Sequence, residues 1–330
     1  MQFLHEKRVY FEVEEKIMRL IFMGTPDFSV PALEALIAGG HQVEAVVTQP
    51  DKRRGRGKEM QMTPVKTAAL SHGIPVLQPE KVKNNPEFLT KVKEICPDAI
   101  VVIAFGQILP KEILELPKYG CINIHASLLP KYRGAAPIQW VIIDGEAETG
   151  VTTMYMEEGL DTGDMLLKTV VPIEKDETGG SLHDKLAAAG GPLILETLKG
   201  LESGALTRMP QVGETCYAKI LTKALGNVDW SMDAEAIERL IRGLSPWPSA
   251  YSHLDGKTVK LWKAQVCEED LNGDDVLPGE IVGVSKDSIF VKTGKGLLAV
   301  KELQLEGKKR MDAGAFLRGY SLKAGDRMEE

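Results

Sequence analysis

The sequence is poor in cysteine, has no long apolar run and has no low-complexity tract or internal repeat. Its four cysteines, Cys96, Cys121, Cys216 and Cys267, form no C-x-x-C pair, and no histidine stands at ligand spacing from any of them. That spacing argues against a disulfide-stapled secreted scaffold and a structural zinc, so a reducing, cytoplasmic setting and a metal-free site are expected. No stretch approaches the roughly 18 apolar residues of a membrane span. Residues 1–17, MQFLHEKRVYFEVEEKI, mix apolar with charged side chains and lack the unbroken apolar segment of an export signal. They are read as an N-terminal extension of unknown role, with Met18 the candidate true start.

What is present is the composition of an ordinary folded chain, 43% hydrophobic and 26% charged. At 330 residues it is long enough for a large core and an attached smaller module. The net charge of -7 counts against a surface that binds nucleic acid everywhere, so any such contact must use local patches. Two are visible: the run Lys52-Arg53-Arg54-Gly55-Arg56-Gly57-Lys58, and basic residues scattered between Lys257 and Lys323.

From Met18, RLIFM reads as a strand, followed by Gly24-Thr25-Pro26-Asp27-Phe28 and a helix with Val30, Leu33, Leu36 and Ile37 on one face. Asp27 or Ser29 is the candidate cap, Pro31 suits the first turn, and Gly39-Gly40 end the helix. A strand over 43–48 follows, completing a βαβ unit and hence a parallel sheet. Further on come a helix near 64–72, a strand at 75–77, a helix carrying Phe88, Val92 and Ile95, and strands at 99–105, 121–125 and 151–156. A long helix runs from Ser181, where Ser181 and Asp184 have the spacing of an acidic capping box.

These elements predict an open α/β domain over 18–205. A linker over 206–222 leads to a module at 223–330, where one helix precedes Pro246-Trp247-Pro248 and closely spaced strands joined by Asp-Gly and Thr-Gly-Lys-Gly turns. That pattern predicts a small antiparallel barrel.

The segment 120–139 carries the strongest chemical signal. On a strand, Asn123 and His125 point to one face while Ile122 and Ile124 point to the other, so an amide and an imidazole share one opening. The carboxyl ends of strands in such sheets are where ligands bind. A second polar cluster, Glu157 to Asp164, contains glycines that permit a tight loop returning Asp161 towards His125. Singly, each has an ordinary structural reading: a core histidine, a strand-end amide, an Asx-turn aspartate.

Together, N-x-H-x-S-L-L-P at 123–130 and L-D-x-G-D at 160–164 resemble the folate-dependent formyltransferases. The resemblance implies a Rossmann-like catalytic domain, 10-formyltetrahydrofolate as co-substrate, no metal, and Asn123, His125 and Asp161 as a catalytic triad. In that family the S-L-L-P stretch contacts the folate, which carries over to Ser127, Leu128, Leu129 and Pro130. Phe105, Gly106, Ile108 and Leu109 follow a buried strand and are similar to part of the pterin pocket.

Three further features, Gly24-Thr-Pro-Asp-Phe, Thr48-Gln-Pro-Asp with Gly55-Arg-Gly-Lys, and Pro246-Trp-Pro with Val259-Lys-Leu-Trp-Lys-Ala, resemble the members that act on methionyl-tRNA. This implies initiator methionyl-tRNA as acceptor, a role in translation initiation, an OB-like C-terminal module and a monomer. The Arg of G-R-G-K, here Arg56, is the one tied to tRNA recognition, with Lys58 and Arg54 beside it. Residues 211–330 hold 17 basic and 19 acidic residues, a net of -2, so RNA binding there needs one positive face. Lys257, Lys260 and Lys263 are its candidates, with Lys292 and Lys295 further along. A sugar-nucleotide or ribotide amine is the alternative acceptor. A nicotinamide-dependent oxidoreductase lacks its G-x-G-x-x-G, and a non-catalytic RNA-binding module leaves the triad unexplained.

Overall fold

A computed structural model describes residues 17–54, 59–267 and 276–329. Residues 1–16 of the 1–17 extension, and Arg56 and Lys58 of the basic run, lie outside the described residues.

The chain opens with β1 (Arg19–Gly24), α1 (Val30–Ala38) and β2 (Gln42–Val47), β1 and β2 being parallel. Leu20 and Phe22 of β1 pack into the layer that holds Leu33 and Leu36 of α1, while Ile21 and Met23 pack into the opposite layer with Phe88 and Val92. Burial on both faces is why this strand reads as a continuous apolar run rather than an alternating one. Neither Asp27 nor Ser29 caps α1 with its side chain. Instead the Ser29 hydroxyl donates to the Ile103 carbonyl at 2.8 Å, fastening the helix start to the end of a neighbouring strand.

The first three residues of the basic run form β3 (Lys52–Arg54), which pairs antiparallel with β4 (Glu59–Gln61), Arg54 opposite Glu59. Then come α2 (Pro64–Ser71), β5 (Val76–Leu77), α3 (Pro86–Ile95), β6 (Ala99–Ile103), α4 (Lys111–Leu114) and β7 (Cys121–His125). β6 stops two residues before its expected end. Ala104 and Gly106 have φ of 46° and 82°, which turns the chain out of the sheet at the strand's carboxyl end.

After β7 follow β8 (Arg133–Gly134), α5 (Pro137–Ile143), β9 (Glu148–Tyr155), β10 (Met165–Pro172) and α6 (Gly179–Ser203). The sheet order is β10-β9-β7-β6-β1-β2-β5. β7, β6, β1, β2 and β5 run parallel, whereas β9 and β10 are antiparallel additions at one side. α6 begins before Ser181. Thr178 accepts from the Ser181 amide at 3.1 Å and Ser181 Oγ accepts from the Thr178 amide at 3.0 Å, so the capping box is Thr178 with Ser181. Asp184 sits too far into the helix to cap it and pairs with the His183 ring at 2.9 Å.

The chain then passes β11 (Tyr217–Ala218), which pairs with β8, and enters α7 (Ala234–Gly243). Next are β12 (Ala250–Leu254), β13 (Lys257–Cys267), β14 (Ile281–Val284), β15 (Ile289–Lys292), β16 (Leu297–Leu305), β17 (Met311–Asp312) and α8 (Ala313–Leu317). Their antiparallel order is β12-β13-β16-β15-β14, with β17 on β16. The tail closes the gap: Glu329 exchanges backbone bonds of 2.8 Å with His253 of β12, and the Ile281 amide of β14 donates to Asp326 at 2.7 Å. Val259, Leu261, Val291, Val300 and Leu303 fill the interior together with Ile237 and Ile241 of α7. Where α5 meets α7, Ala136, Leu221, Leu240 and Leu244 form an apolar contact between the two halves, and Arg239 Nε donates to the Ile143 carbonyl at 3.1 Å.

Candidate active site

The carboxyl ends of β6 and β7 open into a cavity of about 670 Å³ whose lining includes Phe105, Asn123, His125, Ile138, Met156 and Asp161. The period of β7 does the sorting: Ile122 and Ile124 are buried against the helical layer of α1 and α6, which turns Asn123 and His125 to the other face. The three triad residues therefore meet in one cavity, although Asp161 is 36 positions beyond His125 in the chain.

His125 is 6% exposed, and its two ring nitrogens have different partners. Nε2 lies 2.9 Å from the Tyr132 carbonyl. A carbonyl can only accept, so Nε2 carries a hydrogen and Nδ1 is the nitrogen left for chemistry. Nδ1 stands 3.7 Å from Asp161 Oδ2, within ion-pair range and longer than a direct hydrogen bond. The same Oδ2 accepts the Gly134 backbone N–H at 2.8 Å, which fixes the carboxylate independently of the imidazole.

The loop that delivers Asp161 depends on a close approach of its backbone to the end of β9. Asp161 itself has φ of 52°, a left-handed conformation that aspartate tolerates better than most residues. Gly163 sits so near the Tyr155 carbonyl that a Cβ there would lie 1.9 Å from the oxygen. Gly134 is constrained likewise: φ is 109°, and a Cβ would meet the Ala218 carbonyl at 2.8 Å. Tyr132, whose carbonyl orients the imidazole, is anchored through its hydroxyl, which donates to Glu146 at 3.1 Å. Burial, followed by the nearby Asp144 and Glu146 carboxylates, pushes that phenol above its ordinary pKa, so it remains a donor.

Phe105, Gly106 and Ile108 line the cavity, with Ile108 72% exposed at its mouth. Leu109 is buried beneath, in the layer with Ile113. Ser127, Leu128, Leu129 and Pro130 are not among the lining residues. They form the turn that brings Tyr132 back to His125. Ser127 Oγ donates to the Lys131 carbonyl at 2.7 Å, Thr152 Oγ1 donates to the Ser127 carbonyl at 2.7 Å, and Lys168 Nζ donates to the Leu129 carbonyl at 2.5 Å. The Leu129 side chain packs on Met154 and Met165.

On the barrel, Lys257 and Lys263 are exposed and Lys260 lies 5.7 Å over the Trp262 ring. A register shift between Leu261 and Lys263 puts Lys263 on the same outer face as Lys260, opposite Glu302. Arg310, missed by the sequence reading, covers the Trp262 ring at 4.9 Å, and Tyr251 stands opposite Lys260. Bases and aromatics thus share one face. Among the described residues no group of three or more His, Cys, Asp or Glu is placed to hold a metal, and no helix is long and apolar enough to cross a membrane.

Other site components were invisible in the sequence. The Tyr132 carbonyl and the Gly134 amide are backbone groups, which leave no residue-type signature. Cavity-lining His183 comes from a helix whose pattern signals only packing, and Phe28 belongs to the Gly24-Thr-Pro-Asp-Phe motif, which the sequence ties to the acceptor and not to this cavity.

Residues 16–198 match the family described as formyl transferase, and residues 220–321 match the family described as formyl transferase, C-terminal domain. Fold and site thus define an enzyme of the formyl-transferring class. A methionyl-tRNA formyltransferase of Agathobacter rectalis is 58% identical over 311 residues, covering 93% of this chain and 98% of that relative. The methionyl-tRNA formyltransferase of Caldanaerobacter subterraneus is 54% identical over 309 residues, covering 93% and 99%. This chain belongs to the methionyl-tRNA formyltransferase family.

Solved structures share the fold at greater distance. The sugar 3N-formyl transferase WlaRD, solved with dTDP and 5-N-formyl-THF, superposes with a TM-score of 0.64 at 17% identity, covering 89% of this chain and all (100%) of that one. HypX from Aquifex aeolicus, in complex with tetrahydrofolic acid, gives a TM-score of 0.61 at 21% identity, covering 92% of this chain and 47% of that one.

Proposed function

We propose that this chain transfers the formyl group of 10-formyltetrahydrofolate to the α-amine of initiator methionyl-tRNA, giving N-formylmethionyl-tRNA for translation initiation. The observation that carries this reading is the meeting of Asn123, His125 Nδ1 and the Asp161 carboxylate in a single cavity with Phe105, Ile138 and Met156 on its walls. A volume of about 670 Å³ falls in the range of small-molecule sites and suits a flat pterin ring carrying a one-carbon unit.

The neutral amine attacks the formyl carbon, a C–N bond forms, and the carbonyl oxygen becomes an oxyanion. The Asn123 amide and the Nδ1–H of protonated His125 donate to that oxyanion, where donors fixed in advance lower the barrier most. Asp161, 3.7 Å from His125 Nδ1, keeps the imidazolium in place and assists the proton from the attacking amine on its way to N10 of the folate through water. As the oxyanion collapses, the bond from the formyl carbon to N10 breaks and tetrahydrofolate leaves with that proton. Phe105, Gly106 and Ile108 flank the pterin, Leu109 supports them from below, and Ser127 to Pro130 hold the folate side of the site in shape.

In this reading residues 18–205 form the catalytic domain, 206–222 the linker and 223–330 the OB-like tRNA-binding domain, in a cytoplasmic monomer. Arg54, Arg56 and Lys58 contact the acceptor end of the tRNA. Lys257, Lys260 and Lys263 contact phosphates further down, with Trp262 and Tyr251 offering stacking faces. The decisive assay offers the protein 10-formyltetrahydrofolate with initiator methionyl-tRNA, elongator methionyl-tRNA, or amino-sugar nucleotides and ribotides. Formylation confined to initiator methionyl-tRNA is the expected outcome. Product with a free sugar nucleotide or ribotide and none with the tRNA overturns the acceptor.

A further inference from the structure

The residues between the two halves of the molecule do more than connect them. Segment 209–218 is laced along the outside of the catalytic loops. Met209 and Met165 exchange backbone bonds of 2.8 and 2.9 Å, the Thr215 hydroxyl donates to the Pro130 carbonyl at 2.7 Å, and the Arg133 amide donates to the Cys216 carbonyl at 3.0 Å. At the centre is Gln211, half-buried, 50 residues beyond Asp161 in the sequence.

Its amide uses every feature it has. Nε2 donates to the Asp161 carbonyl and to the Gly163 carbonyl, both at 2.8 Å, while Oε1 accepts from Arg133 Nε at 2.9 Å and from a terminal guanidinium nitrogen of Arg133 at 2.6 Å. Carbonyls only accept and a guanidinium only donates, so the orientation of the amide is fixed by its partners. Arg133 is the residue before Gly134, and the Gly134 N–H holds the Asp161 carboxylate. One side chain therefore grips the catalytic aspartate's loop from two sides: directly at its backbone, and through the strand that binds its carboxylate. The loop has reason to need a grip, because Asp161 sits at positive φ and its neighbour Leu160 is 60% exposed.

We propose that Gln211 is a positioning residue for Asp161, and that through it the linker, continuous with the barrel, forms a working part of the active site. The inference rests on the reading of Asp161 as catalytic. Loss of the clamp frees the loop to relax by up to about 1 Å, and misplacement on that scale costs up to about 10²-fold in rate.

The test is a double-mutant cycle between Gln211→Ala and Asp161→Asn in the full chain, read by single-turnover formyl transfer and by tetrahydrofolate binding, with thermal melting to verify folding. Gln211→Ala is expected to lower the rate about 10- to 100-fold with folate affinity held. Gln211→Glu, which keeps an acceptor for Arg133 but loses both donors to the loop, is expected to be equally impaired. In the Asp161→Asn background the same Gln211→Ala change is expected to cost no more than about twofold, since positioning is worthless once its object is gone. Multiplicative losses in the cycle, or a folded Gln211→Ala variant with the wild-type rate, overturn the inference and leave the catalytic reading standing. Wild-type turnover by Asp161→Asn overturns both.

Discussion

The cavity at the end of β7 and the basic outer face of the barrel are both candidate contacts for substrate, and they are built on opposite terms. In the cavity His125 and Asp161 have their geometry set by partners: His125 Nε2 by the Tyr132 carbonyl, the Asp161 carboxylate by the Gly134 amide, the Asp161 loop by Gln211. On the barrel, Lys263 stands exposed opposite Glu302, on a face where the Trp262 ring lies by Lys260 and Arg310 and where Arg310 Nε donates to Glu302 at 2.7 Å. Oxyanion stabilisation depends on tenths of an ångström, so it requires buried donors held in advance. Attraction to phosphates acts over several ångströms and tolerates mobile ammonium groups.

Substitutions should separate the two regions cleanly. The largest effect is expected at His125→Ala, which removes both an oxyanion donor and the partner of Asp161; single-turnover formyl transfer should fall about 10²- to 10⁴-fold with tRNA affinity unchanged. A loss of tRNA binding in that variant would blur the division.

A smaller effect of a different kind is expected for the double change Lys260→Ala with Lys263→Ala. Binding of methionyl-tRNA should weaken, and the slope of log affinity against log salt should become shallower by about 2, while turnover at saturating tRNA stays at the wild-type value. An unchanged salt slope would remove this face from the interface.

The smallest effect belongs to neither region. Thr178→Ala deletes one half of the α6 capping box and should cost about 1 kcal/mol in denaturant unfolding without altering catalysis or tRNA binding. A catalytic defect there would mean that the cavity is sensitive to α6 as a whole.

The parts of this design that were legible in the sequence are those in which residue type and spacing coincide with geometry. The period of β7 pairs Asn123 with His125, and Gly163 marks the tight loop that folds Asp161 back towards them. The edge strand β10 is not legible because Leu166-Leu167 and Val170-Val171 interrupt its polar alternation, Val170 being apolar at an exposed position. The α6 cap was misplaced because the Ser181 to Asp184 spacing mimics the Thr178 to Ser181 pair that forms. The S-L-L-P stretch carries the family resemblance, yet its side chains and carbonyls here brace a turn rather than line the cavity. Least legible were contacts made by backbone groups or by residues remote in the chain, such as the Tyr132 carbonyl and Gln211. Spacing carries no trace of a hydrogen bond spanning 50 residues.

The central claim is that the cavity stabilises the oxyanion formed when the amine attacks the formyl group. Its most direct test is single-turnover formyl transfer by Asn123→Ala, measured beside equilibrium binding of tetrahydrofolate to the same variant. The account predicts a rate lower by about 10²- to 10³-fold with folate affinity nearly intact, the mark of a donor used in the transition state. Wild-type transfer by the folded variant, or a loss that appears wholly in folate binding, would contradict it.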